Sequence, residues 1–284
     1  MSLPLPRREP TPTEVVEPGP SHPGQALCAH GLVASYGSVV ALEGVDIEIP
    51  YGVSVAVLGP NGSGKSSLFA AAIGILRPDA GSVGLGDRGV ALLPQQLDLD
   101  PSFPVTVADV VRMGRWGGPR LGGGERSRKG LRRWIRRLDS TDRDRVGEAM
   151  EALGIADLAD RPFSGLSGGQ RQRALLAQVR AQDAGLILLD EPHSGVDRPT
   201  AGVIDRLIAE WRDSGAAVMV ATHDLEAAAR DYDLVVALNR RVVAFGPAAE
   251  VCTAEVLRET FSGHVARLDG GELVDTSHHH HGAG

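Results

Sequence analysis

A chain of 284 residues with 42% apolar side chains can bury a substantial core, as one large domain or two small ones. A formal charge of −7 argues against a nucleic-acid binder, and no apolar run reaches the roughly 18 residues of a membrane-spanning helix. Cys28 and Cys252 lie far apart and form no metal-type pair, which suits a reducing cytosol, and the N-terminus lacks the apolar stretch of a secretory signal.

Residues 1–25 carry Pro4, Pro6, Pro10, Pro12, Pro18, Pro20 and Pro23 among Glu and Thr, and are expected to be a disordered tail. Order is expected from residue 26. Strand-like runs cover 26–35, 45–49 and 53–58, and the last ends in a glycine-rich turn. A helical run at 65–76 is stopped by Pro78, and strand signals return at 82–85 and 90–93. From 97 to about 183 the periodicity is helical. Val107, Val110 and Val111 share a face, as do Leu131, Trp134, Ile135 and Leu138, and then Val146, Ala149, Met150 and Leu153. Strands resume at 186–189, 218–221 and 234–238, with a helical stripe of Val203, Ile204, Leu207, Ile208 and Trp211 between the first two. The expected class is α/β, a sheet core with an inserted all-helical subdomain at about 97–183.

Gly59-Pro60-Asn61-Gly62-Ser63-Gly64-Lys65-Ser66 fits G-x-x-x-x-G-K-[ST] in full and stands between an apolar strand and a helix. Glycines there let backbone amides close around phosphate oxygens. Lys65 brings a mobile point charge to the β- and γ-phosphates, and the Ser66 hydroxyl can ligate Mg²⁺. Leu166-Ser167-Gly168-Gly169-Gln170 stands before a helical run at 171–183 and leaves backbone N–H groups unpaired at a helix start, a second phosphate site. The strand at 186–189 runs into Asp190 and Glu191. Asp190 sits where α/β sheets place ligands and suits the Mg²⁺ shell, directly or through water. Glu191, on the other side of the strand by side-chain alternation, suits a general base for an attacking water. The plain alternative for such a pair is a solvated turn, and the Gly59–Ser66 loop favours the chemical reading over it. His223 follows the strand at 218–221, where a histidine judged on type alone is more often structural.

Together these residues resemble the nucleotide-binding subunit of an ABC transporter, over about residues 26–260, with motif order and spacing agreeing throughout. Gly59 to Ser67 resembles the Walker A loop, and Leu166 to Gln170 is identical to the family's signature. Asp190 and Glu191 resemble the Walker B aspartate and catalytic glutamate, and Ser194-Gly195-Val196-Asp197 takes the place of the D-loop. The resemblance implies a P-loop NTPase sheet core with the helical subdomain and an antiparallel β subdomain. It implies ATP and Mg²⁺ as cofactors, with Mg²⁺ held through Ser66, Gln95 and Asp190. It also implies that Tyr36 stacks on adenine, that Gln95 touches Mg²⁺ and the attacking water, and that His223 contacts the γ-phosphate. Two identical subunits are expected to dock head to tail, so that Leu166, Ser167, Gly168, Gly169 and Gln170 of one cover ATP bound to the other. The remaining implied partners are a transmembrane permease and, indirectly, an extracellular solute-binding protein, with the subunit peripheral at the cytoplasmic face of the cell membrane.

The D-loop reads SGVD where SALD is commoner, and Ser67 replaces the usual Thr; both keep the hydroxyl or carboxylate. His193 stands where the family mostly has Phe or Thr, and the residues alone offer no reason for it. Pro94-Gln95 and the run from Phe103-Pro104-Val105-Thr106-Val107 to Met113-Gly114-Arg115 resemble ATPases of manganese, zinc and iron importers. The expected cargo is therefore a divalent metal ion. An iron-chelate or vitamin importer, or a soluble ABC ATPase of metal-cluster assembly, are the alternatives. The ATPase domain is expected to span 26–262. A flexible tail at 263–284 follows, whose His278-His279-His280-His281 tract is either a loose metal ligand or a plain tail. The basic stretch 131–138 is either a helix resting on anionic lipid or a solvated helix on its own subdomain.

Overall fold

The computed structural model describes residues 24–95, 104–115, 139–261, 265–267 and 273–275. Phe103, the basic stretch 131–138, the Pro-rich run before residue 24 and the His278–His281 tract lie outside the described residues.

The described residues form two larger sheets and a short antiparallel pair, Val265–Arg267 with Leu273–Asp275, which lies within the stretch expected as a tail. The first is antiparallel, with β1 (Gln25–Tyr36) between β2 (Val39–Pro50) and β4 (Ala80–Leu85). The second contains β3 (Ser54–Leu58), β5 (Val90–Leu93), β6 (Leu186–Asp190), β7 (Ala217–Thr222), β8 (Leu234–Asn239) and β9 (Arg241–Pro247). Its order is β5-β6-β7-β3-β8-β9, parallel up to β8 and antiparallel at β9. The described helices are α1 (Lys65–Ala72), α2 (Val107–Met113), α3 (Ser140–Ala152), α4 (Gly168–Gln182), α5 (Arg198–Asp213), α6 (Leu225–Asp231), α7 (Ala248–Val251) and α8 (Ala254–Thr260).

Every residue of β3, β6 and β7 is buried. Strands covered on both faces read as continuous apolar runs, which is why these three are plain in the sequence. Alternation then deals their side chains to different cores. Val55, Val57, Leu186 and Leu188 join α1 and the antiparallel sheet. Ile187, Leu189, Val218 and Val220 meet the helices α2 to α5 on the opposite face. Ala56 and Leu58 pack with Ala228, Val251 and Leu257 of the last helices.

Helix α1 ends at Ala72, short of the expected 76. Gly74 takes a φ of 74°, and its N–H reaches the Ala71 carbonyl at 3.0 Å. A left-handed glycine closes the helix before Pro78 can act. β9, α7 and α8 have no periodic signature in the sequence. The strand is a half-exposed edge, and the helices span four and seven residues, too short for a face to repeat.

The helical region is pinned at Arg115. Its Nε donates to Asp142 Oδ1 at 2.8 Å, and its Nη1 donates to the Ala181 carbonyl at 2.9 Å. One guanidinium thus joins the end of α2, the start of α3 and the end of α4. Gly114 beside it is backed by the Gln178 carbonyl, with no room for a Cβ. The Gly-Arg of the Met113-Gly114-Arg115 run therefore has an internal packing role. Arg115→Ala leaves the buried Asp142 carboxylate without its guanidinium, and unfolding in denaturant should show a loss of about 3 kcal/mol. A loss below about 1 kcal/mol would mean the pair holds nothing together.

Candidate functional site

The phosphate loop leaves β3 at Leu58 and enters α1 at Lys65. Gly62 and Gly64 take φ values of 77° and 100°. At Gly64 a Cβ would also lie 2.6 Å from the Ala41 carbonyl oxygen and 2.9 Å from Leu42 Cδ2, so conformation and space both demand glycine. Lys65 Nζ donates to the carbonyls of Gly59 at 2.7 Å and Pro60 at 3.1 Å, which keeps the ammonium on the loop.

Strand register gathers the remaining candidates. Leu58 pairs with Thr222, Ala221 with Asp190, and Leu189 with Leu93. Because these strands are parallel neighbours, Gly59, His223, Glu191 and Gln95 all emerge from the same carboxyl edge of the sheet. Asp190 is 7% exposed and accepts a hydrogen bond from Ser66. Burial pushes its carboxyl above the ordinary carboxylate range; Ser66 and Lys65 oppose this, while Glu191 adds to it. Asp190 Oδ1 and Ser63 Oγ are buried without a hydrogen-bond partner. Buried oxygens are nearly always satisfied. The orphaned Asp190 oxygen beside the Ser66 hydroxyl is a pair of hard donors that fits Mg²⁺, whereas Ser63 Oγ is packed inward beside Gly59.

Glu191 departs from the expectation of strand alternation. β6 ends at Asp190, and Glu191 takes a left-handed backbone with φ 48°. Its direction is set by a turn, because its N–H reaches Ala221 and its carbonyl accepts from Ser194, each at 3.0 Å. Gln95 Nε2 then donates to Glu191 Oε2 at 2.7 Å. A non-glycine residue in this region costs about 1 kcal/mol or more, a cost that recurs at functional sites.

The segment Leu166–Gln170 is a capped helix start. α4 begins at Gly168, earlier than the expected 171. Ser167 Oγ accepts from Gln170 N at 3.3 Å, and Gln170 Oε1 accepts from Ser167 N at 3.1 Å. This box uses up donors that the bare sequence leaves open, so the amides of Gly168 and Gly169 in the first turn are the ones without an intrahelical acceptor. Leu166 is buried in the helical core. A Cβ at Gly169 would stand 3.5 Å from Asp197 Oδ2, so the segment rests on the start of α5 in its own chain. Asp197 caps α5 through Thr200 N at 2.9 Å, and the Thr200 hydroxyl and amide hold its carboxyl below the usual range. Tyr36 ends β1 opposite Val39 and is 55% exposed. Ser67 is buried in α1 behind the loop.

The partners of the turn after Glu191 are not legible in the sequence. Gln172 Nε2 donates to the Pro192 carbonyl at 3.1 Å, and His193 Nε2 bonds Asp205 Oδ1 at 2.8 Å. The turn after Glu191 is thereby tied to both α4 and α5, which supplies the reason for His193. Nothing in the sequence singles out Asp205 as its partner.

Residues 42–194 match the family model described as ABC transporter. The chain is 38% identical over 248 residues to the zinc transport system ATP-binding protein TroB of Treponema pallidum, covering 85% of this chain and 88% of that one. It is 38% identical to the manganese transport system ATP-binding protein MntA of Synechocystis, covering 84% and 90%. It is 39% identical to the hemin import ATP-binding protein HmuV of Streptomyces coelicolor, covering 88% of each. Among solved structures, cbiO1 of Clostridium perfringens, part of the ABC transporter complex cbiONQ, superposes with a TM-score of 0.64 at 26% identity, covering 83% of this chain and 94% of that one.

Proposed function

The chain belongs to the ABC transporter family, and we propose that it is the ATP-hydrolysing, energy-coupling subunit of an importer for a divalent metal ion: manganese, zinc or iron. The observation that carries this reading is the row of Gln95, Asp190, Glu191 and His223 along one sheet edge, beside a complete phosphate loop.

Each group then has a task. Backbone N–H groups of Asn61, Gly62 and Gly64, with the Lys65 ammonium, bind the ATP phosphates. Ser66, Asp190 and Gln95 would hold the Mg²⁺ that accompanies ATP, which when bound neutralises phosphate charge. Glu191, oriented by Gln95, accepts the proton of the attacking water. His223 bonds the γ-phosphate, and Tyr36 stacks on adenine. Ser167, Gly168, Gly169 and Gln170, set on Leu166, cover the ATP of a second identical subunit, with Asp197 at the seam between the two. ATP is then shared across the interface, and its hydrolysis releases the pair. In this reading residues 26–262 are the ATPase unit, with the helical subdomain at about 97–183.

No helix among the described residues is long and apolar enough to cross a membrane. The spanning part of the transporter is a separate permease, with this subunit docked at its cytoplasmic face and a solute-binding protein delivering cargo outside. The zinc and manganese relatives support the choice of cargo. The hemin relative matches as much of the chain, which makes chelated iron the second reading.

Uptake of labelled manganese, zinc, iron and hemin, compared between cells with the intact gene and with Lys65→Ala, tests this. One divalent ion should fall to background while hemin uptake persists. A loss confined to hemin supports the second reading, and unchanged uptake of all four refutes both.

A further inference from the structure

The turn between β8 and β9 holds the phosphate loop from behind. Arg240 fills it with a φ of 59°, the left-handed region that favours glycine. Its N–H donates to the Ser63 carbonyl at 2.7 Å, and its own carbonyl accepts from Glu43 N of β2 at 2.8 Å. The Leu238 carbonyl stands where a Cβ on Gly59 would go. On the other flank, the Ala41 carbonyl and Leu42 Cδ2 close on Gly64. Residues 59–64 are thus gripped between β2 and the β8–β9 turn, and the main chain of Arg240 joins the two jaws.

We propose that Arg240 is a positioning residue for ATP binding, linking the phosphate loop at Ser63 to β2, the strand paired with Tyr36, through its left-handed backbone. The proposal rests on residues 59–66 being the ATP phosphate site. The side chain matters less than the peptide. Arg240 Nη1 lies 3.6 Å from Glu43 Oε1, and both side chains are half exposed, where an ion pair contributes little. The N–H to Ser63 has no such substitute. Proline removes that donor and cannot adopt a positive φ. Glycine keeps the donor and adopts the conformation without strain.

The test is titration of the full chain with a fluorescent ATP analogue, well below each variant's melting temperature. Arg240→Gly should bind within about twofold of the parent, and Arg240→Pro about tenfold more weakly, the equivalent of one lost hydrogen bond. Should the proline variant not fold, Arg240→Val replaces it: its branched side chain resists a positive φ, and affinity should fall roughly threefold below that of Arg240→Gly. A turn with only a structural role would lower the melting temperature and leave affinity alone. Parent-like affinity in Arg240→Pro, equal affinity in Arg240→Val and Arg240→Gly, or Arg240→Gly as weak as Arg240→Pro each overturns the proposal. If the parent binds no better than Lys65→Ala, the phosphate assignment fails, and that result is distinct from the others.

Discussion

Glu191→Gln is expected to cut ATP turnover by about 10²- to 10⁴-fold while leaving ATP affinity within about twofold. The argument is local. Gln95 Nε2 donates to Glu191 Oε2, and a glutamine at 191 still offers a carbonyl oxygen to that donor. The turn that aims the side chain is made by backbone bonds to Ala221 and Ser194, which the substitution does not touch. Size and position survive, and only basicity is lost. Turnover by the variant within about tenfold of the parent would remove Glu191 as the base. Binding of a nucleotide analogue to the same preparation shows that the loop at 59–66 is intact.

Ser167→Arg is expected to abolish turnover with nucleotide binding by the single subunit preserved. Ser167 caps α4 through Gln170 N, and loss of a cap costs about 1 kcal/mol, too little to unfold the chain. Ser167→Ala loses the same cap and separates the two effects. It should lower the melting temperature slightly and keep much of the turnover. The arginine adds bulk and charge on the segment assigned to the second subunit's ATP. Equal turnover in the two variants would mean that this segment is only a helix start.

Legibility followed the chemistry. Gly59 to Ser66 was readable because the glycines and Lys65 are demanded by phosphate itself, whichever protein surrounds them. β3, β6 and β7 were readable because burial on both faces makes them nearly continuous apolar runs, with Ser54, Asp190 and Thr222 confined to their ends. The direction of Glu191 was not, because a left-handed turn at a glutamate is imposed by the β7 backbone beside it and not by local propensity. The grip of Arg240 on Ser63 joins residues far apart in the chain through main-chain atoms, which carry no side-chain signature. His193 was visible as an oddity, but its reason lies on α5 in Asp205.

The most direct test of the shared-site account mixes two inactive subunits. Lys65→Ala cannot hold ATP phosphates but keeps an intact Ser167. Ser167→Arg has the reverse defect. In a head-to-tail pair of one each, one of the two sites unites the intact Lys65 with the intact Ser167. An equimolar mixture should therefore recover about a quarter of the parent turnover, since half the pairs are mixed and each has one whole site. A mixture as inactive as its components, under conditions where the parent turns over, would contradict the claim that two chains build each site.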